Sequence, residues 1–453
     1  MAMPLLAISE GKEDCEDHVS ASREGERKIM SSSRVPQLEG VVGDMWRDIQ
    51  GAKHWKGLLD PIHPLLKAEV MRYGDFAQQC YDWFDNSQSS KYYTNCKRSK
   101  SSLTHRLRLG QCGGSYQVTK YIYANTRVFG EEDKMTEMGA WIGFIAVCKD
   151  AEEIRKLGRR DIVVAWRGTE TPQEWIQNLR DILVPIPGRL SHNIQTNSRP
   201  NVRIEKGFMS CYTSIDEDSV RCRASAREIV MAEITRLLEE HKDEENDLSI
   251  TFTGHSLGGA LATISAYDIK QMCMLSDNEN TRNVPVTVFS FASPRVGNMW
   301  FAQHMEEIGV KVLRVVNRND LVPNVPGVFV NENMGRLAKI LCWLPWTYFH
   351  VGVQITVDSN RSPLLKETHN PADFHSLEVY LHSLDGFQGN NRPFKSLGLR
   401  DPAMVNKSSD LLIEDLQVPS HWWPRRNKEI VKRIDGALVY SPATPTPPPP
   451  FLA

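Results

Sequence analysis

Residues 248–260 read Leu248-Ser249-Ile250-Thr251-Phe252-Thr253-Gly254-His255-Ser256-Leu257-Gly258-Gly259-Ala260. The apolar run Leu248 to Phe252 predicts a short strand. Ala260 to Lys270, rich in small and apolar residues, predicts a helix behind it. Between them stands G-x-S-x-G, which in a strand–turn–helix context predicts a nucleophile elbow. A serine hydroxyl is a poor nucleophile until a neighbouring base takes its proton. A sharp turn lifts that hydroxyl out of the sheet to where a base can reach it. Gly254 and Gly258 lack a Cβ, which lets strand and helix approach closely. Ser256 also falls at a helix N-terminus, where free N–H groups favour developing negative charge.

A hydrolase elbow calls for an acid and then a histidine downstream. Lys311 to Val316 predicts a second buried strand, and Asp320 lies just past its end, on the edge where α/β proteins place their sites. Five histidines are candidates for the base: His255, His350, His369, His375 and His382. His255 sits inside the elbow. His350 opens the apolar stretch FHVGVQITV and reads as a packed core residue. His369 lies in a polar loop. His375 opens the helical pattern FHSLEVYLHSL, with His382 two turns along it. A base at a loop-to-helix junction can be aimed at the serine, which favours His375 over His382.

These pieces together resemble the class 3 lipases, specifically the plant phospholipase A1 family. The likeness is carried by Ala165-Trp166-Arg167-Gly168-Thr169, the elbow, and Phe289-Ser290-Phe291-Ala292-Ser293-Pro294-Arg295-Val296-Gly297. It continues through Val315-Val316-Asn317 to Val322-Pro323 and His375-Ser376-Leu377-Glu378. Asp44-Met45-Trp46, Leu59-Asp60-Pro61 and Ala403-Met404-Val405-Asn406-Lys407-Ser408 extend it over residues 41–437. The class I branch, which includes plastid acyl hydrolases acting on phospho- and galactolipids, is the most similar subgroup. The resemblance implies an α/β-hydrolase fold: a mainly parallel central sheet flanked by helices, with a lid-like segment. It implies Ser256 as nucleophile, Asp320 as orienting acid and His375 as base, the H-S-L-E pattern deciding against His382. It implies an oxyanion hole from the backbone N–H groups of Leu257 and Thr169. No metal or cofactor is implied.

The chain has 453 residues, 41% apolar and 24% charged, with a net charge of −2. That composition suits a globular enzyme and gives no basic surface for nucleic acid. No run of 18 apolar residues predicts a membrane span. Nine cysteines without C-x-x-C spacing, Cys148, Cys211 and Cys342 among them in apolar settings, predict reduced, buried thiols and no zinc site. The first 40 residues carry eight acids and five bases and predict a disordered acidic segment. A transit peptide is poor in acids, so this segment predicts the cytoplasm, while the class I resemblance implies the chloroplast. Residues 41–437 predict one lipase domain with helical additions, and 438–453 a Pro-rich disordered tail.

Within that domain Trp46 to Phe84 and Cys222 to His241 predict helices. Val118 to Tyr123, Trp141 to Cys148, Asp161 to Trp166 and Val286 to Ala292 predict strands, and Trp300 to Ile308 a helix. Strands alternating with helices predict a sheet covered on both faces. Glu174 to Ile186 and Leu337 to Phe349 are apolar segments that suit a lid or a lipid interface. The resulting expectation is a serine carboxyl-ester hydrolase acting on the sn-1 chain of a glycerolipid at a lipid surface. Its alternatives are a lipase-like regulatory protein working through partners and an esterase for small soluble esters.

Overall fold

A computed structural model of the chain describes residues 42–87, 90, 92–100, 115–125, 139–169, 182–186, 202–244, 246–327 and 347–423, and the backbone of 428–432 and 438–442. Seven strands form the central sheet: β1 (Tyr116–Ala124), β2 (Ala140–Cys148), β3 (Arg160–Trp166), β6 (Leu248–His255), β7 (Val286–Phe291), β8 (Lys311–Asn317) and β9 (Val353–Val357). They lie in that order. β1, β2 and β3 pair antiparallel, and each step from β3 to β9 is parallel. Between β3 and β6 the short β4 (Leu183–Pro185) pairs with β5 (Arg203–Glu205). Trp166 stands beside Gly254, and His255 beside Phe291, so the ends of β3, β6 and β7 share one edge. This mainly parallel sheet with helical crossovers is the α/β-hydrolase architecture expected from the resemblance.

Ten helices accompany the sheet among the described residues: α1 (Val42–Ile49), α2 (Pro64–Asp82), α3 (Ala151–Leu157), α4 (Lys206–Thr213), α5 (Ala226–Glu240), α6 (Leu257–Met274), α7 (Glu279–Asn283), α8 (Met299–Glu307), α9 (Pro371–Phe374) and α10 (Leu377–Gly386). Alternation along the strands decides which face meets which helices. Ile162, Val164 and Trp166 of β3 join one core with Val230, Ile234 and Leu237 of α5, Leu261 and Ile264 of α6 and Phe301 of α8. Val163 and Ala165 join the other, with Leu66, Val70 and Phe76 of α2 and Tyr380, Leu381 and Leu384 of α10.

The single helix expected over Trp46 to Phe84 is two. The chain leaves α1 through Gly51, whose φ of 87° suits glycine, and re-enters helix at Pro64, which needs no N–H donor in a first turn. Cys222 to His241 begins later than expected, because Ser225 and Glu228 form a capping box that fixes the start at Ala226. Residues 1–41 and 443–453 lie outside the described residues. The expected tail begins inside a hairpin: Leu438–Pro442 (β11) pairs antiparallel with Lys428–Lys432 (β10).

Helix α2 is pinned by buried polar groups. The Tyr73 hydroxyl donates to Asp161 Oδ2 at 2.9 Å, and Thr253 donates to the Tyr73 carbonyl at 2.9 Å. Asp161 also accepts from Tyr116, Ser249 and Thr251. Eight residues further along, a rise of about 12 Å, Tyr81 reaches the edge where β3 and β6 end.

Candidate active site

Three glycines make the elbow possible. A Cβ on Gly254 would collide with the Gly258 carbonyl, one on Gly258 would sit 2.5 Å from the Trp166 carbonyl oxygen, and one on Gly259 2.7 Å from Ser293 Cβ. Backbone therefore packs on backbone where β6 turns into α6. Ser256, at φ 57° and ψ −128°, carries the strained conformation of that turn. It is fully buried, and its N–H is tied to the Phe291 carbonyl at 2.9 Å. The Ser256 hydroxyl caps nothing in α6 and has no hydrogen-bond partner among the described residues. Leu257 opens α6, where the first N–H groups lack intrahelical acceptors.

Asp320 and His375 meet across 55 residues of sequence. His375 Nδ1 donates to Asp320 Oδ2 at 2.7 Å, and both side chains are buried. Asp320 also accepts from the Tyr380 hydroxyl at 2.6 Å and from the Val322 N–H at 2.9 Å. The remaining ring nitrogen, His375 Nε2, is buried and, like the Ser256 hydroxyl, has no partner among the described residues. His375 closes α9 just before α10, so it sits in the turn between two helices rather than between a loop and a helix. Asn317, last residue of β8, donates to the Phe374 carbonyl at 3.0 Å and so fixes the backbone next to His375.

The Arg167-Gly168-Thr169 turn leaves β3 beside the elbow. A Cβ on Gly168 would run into the Tyr81 hydroxyl and lie 3.1 Å from Ser256 Cβ, so only glycine lets this turn approach the serine. The Thr169 hydroxyl is buried, with no hydrogen-bond partner among the described residues. His255 Nε2 faces the His375 carbonyl at 2.8 Å, and His255 Nδ1 faces the Tyr81 hydroxyl at 2.8 Å. Burial, reinforced by the neighbouring His375, drives the His255 ring well below its ordinary value of 6.5 and keeps it neutral.

The other histidines lie elsewhere. His369 is exposed. His350 lies just before β9 rather than within it, and burial with Arg314 and Arg295 lowers it to about 2. His382 is buried with Nε2 at 2.7 Å from Ser362 Oγ, and burial lowers it to about 4. Sequence reasoning missed Tyr81, Tyr380 and the part played by His255. Tyr380 stood within the quoted helical pattern five residues after His375; nothing in the spacing of Tyr81 marked it.

Residues 174–181 of the Glu174 to Ile186 segment lie outside the described residues. Its last part is the strand β4, preceded by an exposed Ile182. Residues 337–346 of the second apolar segment lie outside them too, and Tyr348 at its end is buried. Cys80, Cys96, Cys148, Cys211, Cys222 and Cys273 are free and buried, and burial raises the Cys148 and Cys211 thiols to about 12. No helix among the described residues is long and apolar enough to cross a membrane.

A mainly parallel sheet with a buried serine on a strand–helix elbow defines an α/β-hydrolase. The model of the class 3 lipases matches residues 163–330. Phospholipase A1-Igamma2, chloroplastic, of Arabidopsis thaliana is 44% identical over 422 residues, which cover 91% of this chain and 78% of that protein. Phospholipase A1-Igamma1, chloroplastic, from the same plant is 43% identical over 87% of this chain and 78% of its own length. Galactolipase DONGLE, chloroplastic, also of Arabidopsis thaliana, is 42% identical over 77% of this chain and 71% of its own. The chain thus belongs to the plant phospholipase A1 family of class 3 lipases and is a carboxylic ester hydrolase. The expectation of a cytoplasmic location is corrected: these relatives are named chloroplastic, and they point to the chloroplast despite the acids of the first 40 residues.

Proposed function

We propose that the chain releases the sn-1 fatty acid of glycerolipids through an acyl-enzyme, with Ser256 as nucleophile, His375 as base and Asp320 as orienting acid. One observation carries this reading. His375 is bonded through Nδ1 to the buried Asp320 carboxylate, and its Nε2, like the Ser256 hydroxyl, is buried with no hydrogen-bond partner among the described residues. Asp320 fixes the tautomer in which Nε2 bears the lone pair, and its charge stabilises the imidazolium that forms.

In the first half-reaction Ser256 Oγ bonds to the ester carbonyl carbon and its proton passes to His375 Nε2. The carbonyl oxygen becomes an oxyanion, received by the backbone N–H groups of Leu257 and Thr169. Each such donor is worth about 3–4 kcal/mol in the barrier. The bond to the glycerol oxygen breaks as Nε2 returns the proton to it. Water then attacks the acyl carbon, gives its proton to Nε2, and the fatty acid leaves as Ser256 regains its hydrogen.

The lipid substrate is supported by the relatives, named as phospholipases A1 and a galactolipase, and the chloroplast is the compartment in which it is met. Head-group choice between phospholipid, galactolipid and triacylglycerol belongs to the lipid-facing surface rather than to these residues. Turnover of a short-chain nitrophenyl ester by wild type and by Ser256→Ala tests the reading. Loss of about 10⁴-fold or more in the variant is expected. Undiminished turnover would move the nucleophile elsewhere.

A further inference from the structure

We propose that Tyr81 and His255 form a brace that locks the turn carrying Thr169 to the backbone of His375, holding oxyanion donor and base in one register over Ser256. This rests on the catalytic reading above and adds two positioning residues to it.

The brace is a chain of hydrogen bonds whose directions are all fixed. The His375 carbonyl can only accept, so His255 Nε2 carries the hydrogen across their 2.8 Å contact. The ring is neutral, so Nδ1 presents a lone pair, and the Tyr81 hydroxyl donates to it at 2.8 Å. The Tyr81 oxygen in turn accepts the Gly168 N–H at 3.1 Å. One end of the chain is the residue before Thr169, and the other is the main chain of the base. Its middle, His255, is covalently joined to Ser256. Four segments are thus tied at one point by three hydrogen bonds that span 87, 174 and 120 positions.

Packing restricts the same point. The His255 and His375 rings lie 4.6 Å apart, and Tyr81 meets His255 edge-on at 5.7 Å. A side chain on Gly168 would displace the Tyr81 hydroxyl and approach the His255 carbonyl oxygen at 2.6 Å. Helix α2 is itself anchored through Tyr73 and Asp161, so Tyr81 is held from the sheet rather than from a loop. Without the hydroxyl, the Gly168 N–H loses its acceptor and the Arg167–Gly168 peptide loses its tie to α2, which leaves the Arg167 Nη1 contact to the Gly168 carbonyl at 2.9 Å to hold the turn.

Tyr81→Phe removes one oxygen and two hydrogen bonds and keeps the ring. On a soluble nitrophenyl ester we expect kcat to fall by about 10- to 100-fold, the scale of a small misplacement at a reacting centre, with KM changed by less than about twofold. Affinity for an alkylboronic acid, which forms a tetrahedral adduct on Ser256, should fall by the same factor. A residue that only filled space would lower the melting temperature and leave kcat and boronate affinity together at the wild-type level. His255→Gln can still offer an N–H to the His375 carbonyl, whereas His255→Leu cannot, so the Gln variant should retain more kcat. If Tyr81→Phe does not fold, this pair decides: Gln above Leu supports the brace, and equal loss overturns it. Ser256→Ala runs alongside. Turnover surviving in Ser256→Ala would refute the catalytic reading itself. An inert Ser256→Ala beside a Tyr81→Phe of wild-type kcat and boronate affinity would refute the brace alone.

Discussion

Tyr380 donates its hydroxyl to the same oxygen of Asp320, Oδ2, that receives His375 Nδ1, at 2.6 Å and 2.7 Å respectively. Tyr380 lies in α10, one turn and a half past His375, so one short stretch of chain supplies both side-chain donors to Asp320 Oδ2. Burial and the Asp320 charge push its phenol well above the ordinary range, so it stays a donor. Tyr380→Phe should leave Asp320 held by His375 and the Val322 N–H only. A kcat lowered about tenfold, worth about 1.4 kcal/mol, with KM nearly unchanged is the expected outcome in steady-state kinetics. An unaltered kcat would make Tyr380 a packing residue.

The two histidines of α10 and its junction should separate cleanly. His375→Ala is expected to cost about 10⁴-fold or more in kcat. His382→Ala should cost far less in kcat, because that ring is spent on Ser362, and should appear mainly as a lower melting temperature. The reverse ranking in a matched assay would show that the base is His382.

Acid should destabilise the fold through its neutral histidines. Burial holds His382 down to about 4 from its ordinary 6.5, with Arg400 acting in the same direction. Folded, the ring stays neutral in that window; unfolded, it takes a proton as soon as pH drops below 6.5. Its contribution is therefore intact above 6.5 and declines as pH falls toward 4. The slope is about 1.4 kcal/mol per pH unit. His350, lowered to about 2, has the same sign. Thermal melting of His382→Gln should decline less steeply than wild type across that window, and parallel curves would contradict the assignment.

Gly168→Ala and Gly258→Ala should both damage the fold as well as the chemistry. A Cβ on Gly168 would meet the Tyr81 hydroxyl and lie 2.6 Å from the His255 carbonyl oxygen, and one on Gly258 would lie 2.5 Å from the Trp166 carbonyl oxygen; neither main-chain oxygen can yield. Soluble yield and a melting temperature well below that of wild type check this, and wild-type melting of either variant would contradict it.

Local signals were legible in the sequence, and contacts made by distant segments were not. The elbow showed itself because its chemistry is packed into Gly254, Ser256, Gly258 and Gly259, whose small size is the mechanism of the turn. The strands showed themselves because both faces of a parallel sheet are buried and read as apolar runs. Apolar spacing alone missed the start of α5, which the S-x-x-E capping box of Ser225 and Glu228, present in the sequence, fixes at Ala226. Tyr81 could not be found from sequence, since its role depends on a helix docking 174 positions away from His255. His255 could be placed inside the elbow from sequence; that it reaches the main chain of His375 is a tertiary fact.

Product analysis with a mixed-chain lipid, 1-palmitoyl-2-oleoyl-phosphatidylcholine or the corresponding monogalactosyl lipid, tests the central claim most directly. Wild-type protein is expected to release palmitate and leave the 2-oleoyl lysolipid, and Ser256→Ala to release neither acid. Oleate as the first product, or palmitate release that persists in Ser256→Ala, would contradict the account.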